Sequence, residues 1–395
     1  MADNSSSTNA TNSAQKLVAA NAQAVAIVKQ FARPVCQPMA SPSTLDGSVL
    51  GNVPLIFRAS PRMVGILRKI IVRVEVPITV PAGSTLVPSL LGVAGIFGNV
   101  QFTDLNNNKR IDTTGQHLAL LASVRHRKPA GATFVTDTPI NLGNEVPGAI
   151  VSPSVPAALT SDTQVVAAFT YEVPIMYSNT DFRGAMYLST TQATASIQAT
   201  INPLLLAPAG NTADPDSVFF YTGTKPTVGT ITVTPYQEYL DQIPMSNGAV
   251  ILPTQDMSKI YQLISSTQTG IMANNDFRCD FGNLRTYQSM FVRFRNGWSY
   301  NADDLNYVKI EAANMYQFLN ADPKLLSYHN RCALGYDMPK GTQYFDFRRQ
   351  PVNTTMYGNM AVILNAKSAD DNSRVETLSE FFSDTLTAGA TIIGS

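Results

Sequence analysis

The stretch from Ile66 to Val80 constrains the fold more than any other part of the sequence. Its even positions are apolar except for Arg68, and its odd positions include Lys69, Arg73 and Glu75. Side chains alternate between the two faces of a β-strand, so this period of two predicts one long strand with a single buried face.

Shorter stretches repeat this alternation along the chain, and they are separated by segments rich in Gly, Pro, Asn and Ser. We predict strands at 165–173, 196–201, 229–233, 290–295, 341–347 and 359–365, with long connections at 139–163 and 207–216. Several alternating strands joined by long turns favour a sandwich or jelly roll over a parallel α/β sheet.

Helical spacing of apolar residues is found at the N-terminus and in the second half. We predict helices at Ser13–Phe31, Asp256–Ser266, Asp303–Leu319 and Pro323–Leu334, the last with Asp322 as its N-cap. The first helix could dock on a protein partner, lie on an anionic membrane surface or pack on its own domain.

The charge content is low and balanced. Charged residues are 14% of the 395 residues, against roughly 25% in soluble domains, with 28 Lys plus Arg and 28 Asp plus Glu. Either much of the surface is buried against copies of the chain, or the surface is rich in uncharged polar residues. The sequence has no basic excess that would indicate nucleic-acid binding.

Cysteine usage and the apolar stretches exclude several classes of protein. Cys36, Cys279 and Cys332 are far apart and odd in number, which argues against a disulfide framework or a zinc site and fits a reducing compartment. The N-terminus lacks the pattern of a secretory signal. Leu86–Val100 is too short and too interrupted by Pro and Gly to span a bilayer.

No catalytic, cofactor or metal site is predicted from the motifs. Phosphate-binding, dinucleotide-binding and nucleophile-elbow patterns are missing. His117 and His126 have no third ligand at a suitable spacing. The series Asp104, Asn106 and Asn108 opens like a calcium loop, but the required later Gly and Glu are replaced, so an Asn-rich hairpin turn is the better interpretation.

A basic cluster at 125–128 contains Arg125, Arg127 and Lys128 together with His126. Because no aromatic residues are interleaved, a solvated loop or a subunit contact is favoured over a nucleic-acid surface.

A collinear series of segments resembles one family of proteins. The segments are VTDTPINLGN (135–144), YSNTDFRGA (177–185), YQEYLDQIP (236–244), ILPTQDMSKIYQL (251–263), DPKLLSYHNRCALGYDMPKGTQYFD (322–346) and MYGNMAVILN (356–365). In order and spacing they resemble the major capsid proteins of tectiviruses, tailless phages with a membrane inside an icosahedral shell. The loops at 81–98, 145–163 and 203–228 depart from that pattern.

The resemblance implies a mainly β protein with two jelly-roll barrels in one chain, an N-terminal helix, and helices inserted in loops of the second barrel. It implies a non-enzymatic capsid subunit, made in the host cytoplasm, that forms pseudo-hexagonal homotrimers tiling a shell over an internal membrane. Expected partners are copies of itself, the membrane through the N-terminal helix, and vertex and minor capsid proteins. No cofactor, metal or direct nucleic-acid contact is implied.

Domain limits and surface residues follow as expectations. We expect a disordered N-terminus at 1–13, a helix and extended arm at 14–45, a first jelly roll at 46–243, a second at 244–382 and a tail at 383–395. Lys16, Lys29 and Arg33 are the candidate residues facing the membrane or a neighbour.

Two other functions remain open on the residues alone. One is a β-sandwich carbohydrate-binding or adhesin protein, which would bind a specific sugar. The other is a β-rich hydrolase, which would need converging carboxylates or a nucleophile beside a base.

Overall fold

The alternation at Ile66–Val80 forms a single strand of 15 residues. From Lys69 onward, its odd positions are half-buried and its even positions are buried. The computed structural model describes residues 5–89, 91–127, 150–151, 154–188, 194–210, 213–312 and 316–384. Within these ranges the chain forms two β-sandwiches, which are described in turn.

The first half contains two long helices and the strands of one sandwich. Its elements are α1 (Ser5–Phe31), β1 (Arg33–Pro38), β2 (Ser43–Asp46), β3 (Ile56–Ala59), β4 (Ile66–Val80), β5 (Thr85–Pro88), β6 (Phe97–Thr103), β7 (Lys109–Thr113), α2 (Gly115–His126), β8 (Ile150–Val151), β9 (Thr163–Pro174), β10 (Met186–Tyr187), β11 (Ser196–Ile201), β12 (Leu206–Pro208), β13 (Phe219–Thr222), β14 (Thr227–Val228) and β15 (Thr230–Asp241).

The second half contains the other sandwich with its inserted helices. Its elements are β16 (Met245–Ser246), β17 (Ala249–Val250), α3 (Thr254–Met257), β18 (Lys259–Thr269), β19 (Asp276–Asp280), β20 (Arg285–Asn296), β21 (Ser299–Tyr300), β22 (Leu305–Ala312), β23 (Tyr316–Ala321), α4 (Pro323–Leu334), β24 (Thr342–Asp346), β25 (Val352–Asn353), α5 (Thr354–Tyr357), β26 (Met360–Ala366) and β27 (Arg374–Asp384).

Each sandwich is built from two antiparallel sheets. In the first half, β1–β15–β4–β9 form sheet I and β3–β11–β6–β7 form sheet II. In the second half, β18–β27–β20–β24 form sheet III and β19–β26–β22–β23 form sheet IV. The strands of the two halves correspond in chain order and in their place in the sheets. Sheet I corresponds to sheet III, and sheet II corresponds to sheet IV. This is the Greek-key arrangement of a jelly roll, so the expected mainly β fold with two jelly rolls is confirmed.

The two sandwiches are continuous through one strand pair. Strand β7 at the edge of sheet II pairs in parallel with β18 at the edge of sheet III, with Ile111 opposite Leu263 and Asp112 opposite Ile264. A single hydrogen-bonded sheet therefore runs from one half into the other.

Apolar packing also crosses between the halves. Alternate residues of β27 face opposite cores: Leu378 and Phe382 join the core of the first sandwich, and Val375 and Phe381 join that of the second. Since both faces of sheet III are buried, the second jelly roll is packed against the first.

Several predicted elements are confirmed. Helix α4 begins after Asp322, whose carboxylate accepts hydrogen bonds from the backbone N–H groups of Lys324 and Leu325. The turn at 104–108 is the expected Asn-rich hairpin between β6 and β7. Asp104 accepts hydrogen bonds at 2.9 Å from the backbone of Asn106 and of Asn108.

Two predicted helices are wrong. The stretch Asp256–Ser266 contains only the end of the short α3 and then enters β18, which pairs with β27 over eleven residues. Most of Asp303–Leu319 forms β22 and β23, with residues 313–315 outside the described ranges. In both places pairing with a strand distant in the sequence, β27 for β18 and β26 for β22, outweighs the local helical spacing.

The N-terminal helix is longer than predicted. It begins at Ser5 and includes residues 5–13, which we expected to be disordered. This segment contains neither Gly nor Pro, so no residue in it ends the helix. Residues 1–4, residues 385–395 of the expected tail and residues 128–149 lie outside the described ranges.

Candidate assembly surfaces

Helix α2 lies between the two jelly rolls and was not predicted from the sequence. Thr114 caps it by accepting a hydrogen bond from the backbone of His117, and every residue from Gly115 to Val124 is buried. Gly115 is required at the first turn because a Cβ there would lie 2.6 Å from the Ala94 carbonyl oxygen. We call α2, together with the face of sheet III that it covers, the joint.

One end of the joint is held by a buried carboxylate. Glu380 on β27 accepts hydrogen bonds from Arg125 Nη2 and from the Tyr261 hydroxyl, both at 2.7 Å, and from the Ser289 hydroxyl. Burial acts to lower the pKa of Arg125, but the nearby Tyr261 and Glu380 outweigh it and raise that pKa. The guanidinium therefore stays charged and ties α2 to three strands of the second jelly roll.

The other end of the joint centres on Arg293. Its Nη1 donates to Gln116 Oε1 at 2.8 Å and to Glu376 Oε2 at 3.1 Å, and its guanidinium lies 4.1 Å from the centre of the Tyr300 ring. Burial acts to raise the pKa of Glu376, but the charges of Arg293, His117 and Arg374 lower it to about 2. The carboxylate is therefore ionised at neutral pH.

His117 is buried beside this pair without a hydrogen bond of its own. Its Nε2 is 3.9 Å from Glu376 Oε2, which is too long for a hydrogen bond, and neither ring nitrogen has a partner among the described residues. Burial is the largest influence on the pKa of His117. Together with the charge of Arg293 it outweighs the attraction of Glu376 and lowers that pKa to about 4.

A loop of the first half adds a third set of ionic contacts. Arg295 Nη1 lies 3.0 Å from carboxylate oxygens of Asp214 and of Asp216. The Tyr300 hydroxyl donates to Asp216 at 2.6 Å, and Arg374 pairs with the same carboxylate. Arg295 is buried, while the two aspartates and Arg374 are partly exposed. These contacts join the loop of the first half to strands of the second jelly roll.

The basic cluster predicted at 125–128 is divided between different roles. Arg125 belongs to the joint, whereas His126 Nε2 lies 3.0 Å from Glu172 of the same jelly roll. Arg127 ends α2 in a left-handed conformation, and Lys128 lies outside the described residues. Arg125 is therefore on a helix and not in a solvated loop, and its hydrogen bond to Glu380 is made within the chain.

A groove of about 380 Å³ opens where α2 ends, between sheet I and the second jelly roll. Its Lys and Arg side chains are paired with acids: Arg68 with Glu238, Lys69 with Glu172, Arg125 with Glu380, and Arg348 with Asp346 outside the groove. The groove is therefore not an anion site. In the part of the chain that the structure describes, no group of three His, Cys, Asp or Glu side chains is placed to hold a metal ion.

The C-terminal part of helix α1 packs against the rest of the subunit. Ala24 and Val28 are buried, Val28 in a small cluster with Ile66 and Leu240. Asn21 donates to the Asp256 carboxylate at 3.0 Å, which anchors the helix to the second jelly roll. Leu17 is on the same side of the helix, eleven residues before Val28, yet it is exposed.

The three candidate surface cations are exposed but are not brought together. Lys16 and Lys29 are both on α1, separated by about 20 Å along the axis and about 140° around it. Arg33 is in β1. The apolar residues next to Lys16, Leu17 and Val18, are also exposed. None of the described helices is long and apolar enough to cross a membrane.

Comparisons with known proteins agree with this geometry. Residues 2–243 match the family model described as "P3 major capsid protein N-terminal", and residues 258–395 match "P3 major capsid protein C-terminal". The chain is 32% identical over 372 residues to the major capsid protein P3 of Enterobacteria phage PRD1, covering 93% of this chain and 92% of the relative.

Solved structures of low sequence identity share the fold. The crystal structure of the STIV MCP matches with a TM-score of 0.61 at 11% identity, over 90% of this chain and 99% of that chain. The PBCV-1 virus capsid matches with a TM-score of 0.54 at 11% identity, over 89% of this chain and 94% of that chain.

Proposed function

The chain belongs to the P3 major capsid protein family, and from that premise we propose that three copies close into a pseudo-hexagonal trimer that tiles an icosahedral shell over an internal membrane. As a major capsid protein it is a structural component of the virion shell and not an enzyme. Assembly with other copies is therefore its function.

The observation that carries the trimer is the presence of two equivalent jelly rolls in one chain, held together by the joint. Three such chains supply six barrels of the same topology, which is the number a hexagonal outline needs. A head-to-tail contact between copies can close into a ring without growing into a fibre.

The low charge supports burial between copies. Obligate interfaces can bury more than about 2,000 Å² and are more apolar than transient ones. A chain with 14% charged residues and no net charge suits that demand. Of the two explanations left open by the composition, burial against copies is therefore the one we adopt.

We propose the same domain limits that the sequence suggested, with the first jelly roll at 46–243 and the second at 244–382. Strands β3 to β15 fall within the first range and β18 to β26 within the second, which supports these limits. Other strands extend beyond them: β1, the edge strand of sheet I, and most of β2 precede residue 46, and β27 extends to Asp384. Residues 14–45 would form the N-terminal helix and arm. Vertex and minor capsid proteins are proposed as further partners, and no direct contact with nucleic acid is proposed.

We propose that the N-terminal helix faces the membrane or a neighbouring trimer. Its apolar side is covered at Val28 but uncovered at Leu17, so the end that carries Lys16 is available to another surface. Lys29 and Arg33 would add positive charge near the body of the subunit.

Charge removal tests the membrane contact. Each cation near an anionic surface contributes about 1 kcal/mol to binding. The triple variant Lys16→Gln, Lys29→Gln, Arg33→Gln should therefore bind vesicles of phosphatidylglycerol and phosphatidylcholine on the order of 100-fold more weakly than the parent trimer. Vesicle flotation at fixed ionic strength measures this difference.

A matched control removes three exposed lysines elsewhere, Lys225, Lys324 and Lys340. Its binding should equal that of the parent protein. Equal weakening in the two triple variants would show that binding depends on net charge alone, and unchanged binding in the N-terminal variant would reject the membrane role of these residues.

A further inference from the structure

Helices α2 and α4 occupy equivalent places in the two jelly rolls. Helix α2 lies between β7 and β9, and α4 lies between β23 and β24, which are the equivalent strands of the second half. Both helices have 12 residues and a side-chain cap, Thr114 or Asp322, and both end at a left-handed residue, Arg127 or Gly335. Each position of α2 therefore corresponds to the position 208 residues later in α4.

The equivalent positions differ sharply in burial. On α2, His117, Leu120 and Val124 are buried in the joint or in the first core. Their counterparts on α4 are Leu325, which is 44% exposed, Tyr328, which is 63% exposed, and Cys332, which is also exposed. These three side chains are spaced by three and four residues, so they form one face of the helix.

The contacts of α2 in the joint show which surface covers a helix at this place in a jelly roll. Helix α2 is covered by the outward face of sheet III, where Glu380 and Arg293 bind its polar residues and Phe291 and Leu378 join the core of the first sandwich. The strands of sheet III correspond in order to those of sheet I. Sheet I is thus the surface of the first jelly roll that is equivalent to the one covering α2, and it is the expected surface for α4.

The outward face of sheet I is available to a partner. Lys69, Ile71 and Arg73 are half-buried on that face, while their neighbours Ile70 and Val72 are in the core. On the edge strand β1, exposed Cys36 lies directly opposite Glu238, whose carboxylate is 3.4 Å from Lys69 Nζ. Opposed residues of an antiparallel pair share a face, so Cys36 marks the outward side of sheet I.

We propose that the exposed face of α4 in one copy docks on the outward face of sheet I in the next copy, repeating between chains the contact that α2 makes with sheet III within the chain. This inference rests on the proposed trimer and specifies which surfaces meet in it. The two surfaces differ from each other, so the contact is head-to-tail. In a closed ring, every copy contributes its α4 face to one neighbour and its sheet I face to the other.

Charge insertion on α4 tests the contact. Leu325 and Tyr328 are exposed in the single chain, so the double variant Leu325→Asp, Tyr328→Asp should fold with an unchanged circular-dichroism spectrum. Carboxylates buried without partners in each contact should abolish the trimer. Light scattering should then give the mass of one chain, 42.7 kDa, in place of three.

Met272 and Met356 provide the matched control, since they are 65% and 76% exposed elsewhere in the second jelly roll, Met272 after β18 and Met356 in the short helix α5. The variant Met272→Asp, Met356→Asp should remain a trimer. A trimeric α4 variant would overturn this inference while leaving the trimer itself intact. A parent protein with the mass of one chain would instead refute the proposed function.

The chain's own thiols give a second measurement. A bulky maleimide should react with neither Cys36 nor Cys332 in the parent trimer, and with both in the dissociated α4 variant, while buried Cys279 stays unreactive in each. Cys36→Ser and Cys332→Ser assign the labels. If either thiol of the trimer reacts as fast as in the single chain, the surface that carries it is not the contact.

Discussion

Replacing Arg293 with Ala is expected to lower the free energy of unfolding by about 3–5 kcal/mol, because it removes one partner of a buried ion pair. Arg293 is 2% exposed and binds Gln116 of α2 and Glu376 of β27. Its loss leaves Glu376 in the joint with less compensating charge and leaves a cavity beside Tyr300. Urea unfolding at pH 7 and constant chain concentration measures the change.

Arg331→Ala is the control for this variant. Arg331 pairs with Asp337 at 3.7 Å, but both side chains are more than half exposed, so the variant should stay within about 0.5 kcal/mol of the parent. If Arg293→Ala is as stable as Arg331→Ala, the joint does not depend on its ionic contacts.

Acid should destabilise the protein through His117. The folded chain keeps this imidazole neutral down to a pKa of about 4, whereas in the unfolded chain it becomes protonated near pH 6.5. Between these values the unfolded state binds more protons, so stability falls as pH decreases from 6.5 to about 4. The loss attributable to His117 is about 3 kcal/mol over this range.

The variant His117→Leu should remove that part of the pH dependence, since leucine does not titrate and occupies the equivalent position, 325, in α4. At pH 7 its stability should be similar to the parent's, because neither nitrogen of His117 makes a hydrogen bond within the described residues. An unchanged slope in His117→Leu would assign the acid sensitivity to other groups.

Strand periodicity predicted the fold where one face of a strand is buried. The alternation at Ile66–Val80 and at 165–173 was sufficient to predict β4 and β9. Local periodicity gave the wrong prediction at β18, where Ile260, Leu263 and Ile264 have helical spacing. The pairing of β18 with β27, more than 100 residues later, cannot be inferred from the spacing of neighbouring residues. Pairing with β27 therefore determines that this segment is a strand.

Helix α2 could not have been predicted by the same approach. It is buried on all sides from Gly115 to Val124, so it lacks the polar face that gives a helix its period in the sequence. The ionic partners of the joint, such as Arg125 and Glu380, are 255 residues apart. Only the fold brings them together, and no motif could have predicted them.

The resemblance of the six segments to capsid proteins correctly predicted the family, but it did not identify the contact surfaces. Leu325 and Tyr328 are within one of those segments, DPKLLSYHNRCALGYDMPKGTQYFD, where their spacing fits an ordinary amphipathic helix. Their exposure became informative only by comparison with the buried equivalents on α2.

The mass of the purified protein in solution tests the central claim most directly. Light scattering should give three chains of 42.7 kDa each, about 128 kDa, and the value should not change on dilution because a closed ring satisfies all of its contacts. A mass of one chain at high concentration would contradict the capsid trimer that we propose.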